Sequence, residues 1–169
     1  MDEKARELIA DWFRRVRESQ HVHYACANHF SRLNYILGIP TIVITSVVGT
    51  AVFVSLEKQD IADYKILVGL LSMLAAVLAS LQTFLGFAER SEKHRLAGAG
   101  YAAVRRHVEL LATFPPADEE LEQSLMDIKN EMDSLAKSSP EVPRAVVRQL
   151  DEELRAKAHE RLAVAPVQK

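Results

Sequence analysis

Residues 33–56 and 66–87 contain no Asp, Glu, Lys, Arg or His. Each run is longer than the ~20 residues an α-helix needs to cross a bilayer core about 30 Å thick. A helix in a soluble core seldom stays apolar on every face for so long, and here it happens twice. No ionisable group would have to sit in hydrocarbon. The pattern predicts two membrane-spanning helices joined by the polar link 57–65. The whole-chain mean hydropathy of −0.03 hides this, because it averages the runs with charged flanks that bring Asp, Glu, Lys and Arg to 26% of the chain.

The first run begins only after the charged residues 1–32, and it is longer than the apolar stretch of a secretory signal, so the span is expected to be retained. Arg14, Arg15, Arg17 and Arg32 precede it, and Arg90, Lys93, Arg95, Arg105 and Arg106 follow the second run. The link carries Lys58 and Lys65 against Glu57, Asp60 and Asp63. The positive-inside rule then puts both termini in the cytoplasm. Tyr35, Phe87 and Tyr64 suit the membrane interfaces. A net charge of −2 argues against general nucleic-acid binding. The single cysteine, Cys26, allows no intrachain disulfide and is expected to be inert packing.

Outside the spans the apolar residues recur in steps of three and four. Ile9, Phe13, Val16, Gln20, His23, Ala27 and Phe30 form one seam, and His94, Ala97, Tyr101, Val104, Val108 and Leu111 a second. Leu121, Leu125, Ile128, Met132 and Leu135 form a third, and Val147, Leu150 and Leu154 a weaker fourth. Pro115-Pro116 separates the second helix from the third, with Asp118 as its expected N-cap. Ser138-Ser139-Pro140 and Pro143 separate the third from the fourth. The first helix should run unbroken into span one, and span two unbroken into 88–113.

The expected fold is therefore all-α. A two-span transmembrane hairpin (33–56 and 66–87) extends into a cytosolic antiparallel coiled-coil stalk (1–32 and 88–113), followed by two C-terminal cytosolic helices within 117–162. Length favours 1–162 acting as one unit. Register counted from the span ends sets His29 level with His94, Gln20 with Tyr101 and Phe13 with Val108.

Within span one, Gly38 and Pro40 predict a helix kink near the cytosolic end. Thr41, Thr45 and Gly49 recur there, and Ser72, Ala76 and Thr83 recur in span two with Gln82 beside them. Small residues let spans approach closely. These seven are candidates for packing the spans or for lining a polar path between protomers. Two spans cannot enclose such a path, so it would need several copies about an axis. Beneath the membrane, Glu89, Arg90, His94 and Arg95, with His29 opposite, form a candidate gate or juxtamembrane latch. Their helical spacing equally suits exposed ion pairs such as Glu92–Arg95.

Six histidines raise the question of a metal, yet none stands three or four residues from another, and no Cys-x-x-Cys-His occurs. No metal or cofactor is expected. Nor is an enzyme, since G-x-S-x-G, H-E-x-x-H and any nucleophile with a matched base are missing from the sequence.

The run Leu37-Gly38-Ile39-Pro40, then Val48-Gly49-Thr50, Gln82-Thr83-Phe84, Phe87-Ala88-Glu89-Arg90 and Glu92-Lys93-His94-Arg95, followed by Tyr101, Arg105 and Glu109, resembles the SLATT family of small two-span proteins. The resemblance covers residues 20 to 112. It implies a homo-oligomeric effector of bacterial antiviral, abortive-infection defence, linked to a nucleotide-second-messenger system and permeabilising the inner membrane. Its partners would be the lipid bilayer and further copies of itself. The alternative from another class is a non-conducting membrane scaffold whose helices recruit a cytosolic partner.

Overall fold

The computed structural model describes residues 2–55 and 62–152, and at 53–55, 62–64 and 118–119 their backbone alone. Four helices are complete within it: α1 (Glu3–Ser55), α2 (Ala62–Leu85), α3 (Phe87–Thr113) and α4 (Asp118–Ser138). Residues 144–152 are helical as well, and no strand occurs among the described residues. Most of the link 57–65, Leu56, the Tyr64 side chain, Leu154 and the rest of 153–162 lie outside the described residues. The last four residues of the expected link are already helical, since α2 opens at Ala62.

Each boundary follows from local chemistry. Nothing in α1 before Gly38 disfavours a helix, and α1 continues through Pro40. The proline ring leaves the Ile36 carbonyl without its usual amide donor. One residue on, the Thr41 hydroxyl donates to the Leu37 carbonyl at 2.7 Å. The expected continuity from span two into α3 fails at Gly86, whose φ of 56° only glycine adopts without strain. The Gly86 amide still donates to the Gln82 carbonyl at 3.3 Å, and its own carbonyl accepts from Arg90 at 3.0 Å. Pro115 and Pro116 follow the end of α3. Ala117, not Asp118, occupies the N-cap of α4, without a side-chain cap bond. Asp118 is instead the first helical residue. α4 ends as Ser139 turns extended before Pro140, and its amide donates to the Leu135 carbonyl.

By its contacts the chain divides into two compact units: residues 1–29 with 91–169, and residues 30–90. In the first, the core is the predicted seams. Ile9, Val16, His23 and Ala27 of α1 are buried, as are His94, Ala97, Tyr101, Val104, Val108 and Leu111 of α3. Leu121 and Ile128 of α4 join the same cluster, with Leu125, Met132 and Leu135 packed against it. The fourth seam is one residue out of phase, because Val146 is buried while Val147 is exposed. Two further contacts fix the approach of the helices. A methyl on Gly98 would meet the Tyr24 ring at 3.2 Å, and one on Gly100 would meet Leu135 at 2.5 Å. α3 thus stays narrow where α1 and α4 press on it.

In the second unit, Gly38, Thr41 and Ala75 are buried, and Leu37, Ile44, Val48, Val68, Leu71, Leu78 and Gln82 are half-buried. Apart from the adjacent Leu37 and Gly38, these residues step by three and four along each helix, so each helix has one covered line. The rest of the apolar surface is open: Ile36, Ile42, Val43, Val47, Leu67, Leu70, Met73 and Val77 are all more than half or about half exposed. Of the most hydropathic windows of the two long helices, only 17% and 6% of the residues are buried. A helix buried in the core of this chain would not leave so much apolar surface open.

Candidate functional site

The most unusual chemistry in the first unit lies where two seams meet. His23 of α1 and His94 of α3 bring their Nδ1 atoms to 3.0 Å, and the rings are 5% and 2% exposed. Tyr101 stacks on His23 with ring centroids 5.5 Å apart. One turn along α3, the Ser91 hydroxyl donates to the Ala27 carbonyl at 2.8 Å. Falling numbers in α1 therefore meet rising numbers in α3: Ala27 with Ser91, Tyr24 with Gly98, His23 with both His94 and Tyr101.

A hydrogen bond between two Nδ1 atoms needs one ring protonated there as donor and the other bare as acceptor. When both rings are neutral they must therefore be opposite tautomers. Burial pushes the His23 pKa below its ordinary value, and the charge on His94 pushes it further. Burial alone lowers His94. Cys26, one turn from His23, is fully buried, and its thiol is pushed up to about 11. A thiol so placed is packing and not a nucleophile.

The polar seam continues past the rings. Gln20 Oε1 and Arg105 Nε are buried without a hydrogen-bond partner among the described residues, and Arg105 Nε lies 3.8 Å from Glu109 Oε1. No group of three or more His, Cys, Asp or Glu fit to hold a metal occurs among the described residues.

The expected register holds where Tyr24 meets Gly98 and departs at the rings. His94 meets His23 instead of lying level with His29, which is half-buried six residues further along α1. Both histidines stood at seam positions, and two polar seam residues lose least by facing each other; that signal was in the sequence. Of the other latch candidates, Arg95 is exposed and reaches Glu92 at 3.9 Å. A pair so exposed contributes about 0–1 kcal/mol. Glu89 and Arg90 are exposed, with the Arg90 guanidinium 5.9 Å from the Phe30 ring centroid.

In the second unit the span candidates divide into two sets. Gln82 lies on the covered line against Gly38, where a methyl would come within 3.2 Å of its amide nitrogen. Thr41 is buried on the same line. Thr45, Gly49, Ser72, Ala76 and Thr83 are exposed. The hydroxyls of Thr45, Ser72 and Thr83 turn back to carbonyls of their own helices at 2.8, 2.8 and 3.1 Å, so none is left unsatisfied. The small residue that packs span two is Ala75, one position from Ala76.

Searches of curated proteins and of solved structures return no match. Residues 6–159 match the family described as SMODS and SLOG-associating 2TM effector domain family 4. The match takes in both units, and its two-transmembrane character agrees with two long helices whose apolar surfaces lie open. The chain is a membrane protein and belongs to this fourth SLATT family.

Proposed function

We propose that the chain is a membrane effector of bacterial defence that assembles from several copies and opens a polar path through the inner membrane on a nucleotide-linked signal. In this reading the second unit is a transmembrane hairpin, the seams of the first are a cytosolic coiled-coil stalk, and both termini are cytoplasmic. The observation that carries it is the uneven surface of the spans. Successive residues of a helix turn by about 100°, so positions can be placed around each covered line. Thr45 and Gly49 fall about a quarter-turn from the line of α1. Ser72, Ala76, Ala79 and Thr83 fall about a quarter-turn, in the same rotational sense, from that of α2. In an antiparallel pair these positions come to one flank of the hairpin. The opposite flank carries Val43 and Val47 of α1 and Leu70, Leu74 and Leu81 of α2, all exposed. A bulky apolar flank suits lipid, and a flank of small and hydroxylated residues suits another helix or water.

The scaffold alternative calls for an exposed apolar stripe on α4 or the helix after it. Met126 is the exposed large hydrophobic of α4, and Val147 that of 144–152. Among the described residues these two side chains do not form a stripe. Dye release from loaded liposomes tests it by flank. Ala76→Leu should abolish release by filling the close approach, whereas Val77→Leu, on the lipid side, should leave it. Equal effects of the two would overturn the reading.

A further inference from the structure

The paired histidines have no part in the pore reading. Two polar rings in the core of a helical bundle cost stability unless they specify something, since an apolar pair of similar shape would pack there without desolvation. Their geometry allows one arrangement only, in which a single proton sits between the Nδ1 atoms 3.0 Å apart. We propose that the His23–His94 contact is a proton-sensitive latch: with both rings neutral it holds α1 against α3, and proton uptake parts the two helices at that level.

The proton count explains why. A first proton makes one ring an imidazolium, which still donates from Nδ1 to its partner but places a full charge in the core. A second proton leaves two N–H groups and two positive charges face to face with no acceptor between them. The pair therefore titrates as a unit, in two steps. Tyr101 faces His23 from α3 as a stacked ring. Cys26 stands one turn along α1 as a neutral thiol. α4 comes to Gly100 with the aliphatic Leu135. Lys93 and Arg95 flank His94 on its own helix, exposed and of the same sign as the incoming charge.

The direction follows from linkage. Both rings are held below their ordinary value, so the parted state binds protons more readily than the closed one. Closed packing is fully favoured above about pH 6.5, the ordinary histidine value, and is lost as pH falls below it toward the lowered values. The stimulus would be acidification of the compartment around the first unit. The inference stands apart from the pore reading, because α1 and α3 can part in a chain that conducts nothing.

Cys26 supplies the readout. It is the sole cysteine, fully buried on the face of α1 that carries His23. Dithiodipyridine modifies thiols even in acid, and its rate on the whole chain in detergent is compared with that on the same chain unfolded. Between about pH 7.5 and about pH 5.5 the relative rate should rise, about tenfold for each unit by which the closed state depresses one ring. In His23→Asn with His94→Asn, whose amides can keep one donor facing one acceptor, it should stay flat. A flat wild-type profile, or the same rise in the double variant, would overturn the latch. Should the double variant label freely at both pH values, ring nitrogen spectra of the wild type decide instead. Two rings that stay neutral as the pH falls below about 6.5 support the latch, and no ring doing so refutes it.

Discussion

At the scale of single residues, what distinguishes this chain is how little space surrounds a few of them. Ile128 is wholly buried and is the largest side chain to be so among the described residues, packed in a cluster that draws on α1, α3 and α4. Ile128→Ala should cost about 2–5 kcal/mol through lost burial and the cavity left behind. Met126→Ala, two residues away and half exposed, should change stability by less than about 0.5 kcal/mol. Denaturant melts of the detergent-solubilised protein measure both, and comparable losses would show that α4 is not docked by this face. Which residues are buried was largely legible beforehand, because seam positions announce themselves by spacing. Which partner each seam residue meets was not. His23 facing His94 depends on depth, and depth accumulates any error along the helices that lead to it.

Among the elements, the joint between α2 and α3 matters most. Alternating steps of three and four mark a helix whether or not it is continuous, so periodicity alone could not place a break at Gly86. Small residues are common in spans, so nothing in the sequence sets Gly86 apart from the others. Its positive φ gives it a different role. Gly86→Ala should cost about 1–2 kcal/mol in the left-handed conformation, or else straighten the joint. Gly49→Ala meets nothing within 4 Å and should be neutral or slightly stabilising in its helix. Thermal melts of the two variants separate these cases, and equal midpoints would argue that Gly86 carries no strain-sensitive turn. The phase error in the fourth seam has a similar origin. Pro143 fixes where that helix opens, with its carbonyl accepting from Val146 and Val147, and so rotates Val146 inward. The N-cap of α4 slipped by one residue because Asp118 suits the first turn as well as the cap.

For the molecule as a whole, the apolar runs made the membrane assignment readable from the sequence, and the family match over 6–159 agrees with it. The uneven flanks of the spans were harder to see. Ala75 and Ala76 are chemically identical, and only the covered line of α2 separates the one that packs from the one left open. The central claim is that copies of the chain meet through the flank of small residues. Oxidative crosslinking in native membranes tests it most directly, in a Cys26→Ala background that removes the natural thiol. A chain carrying Ala76→Cys should form disulfide-linked pairs between copies, and one carrying Leu74→Cys should not. Crosslinking through position 74 in preference to 76, or through neither, would contradict the account.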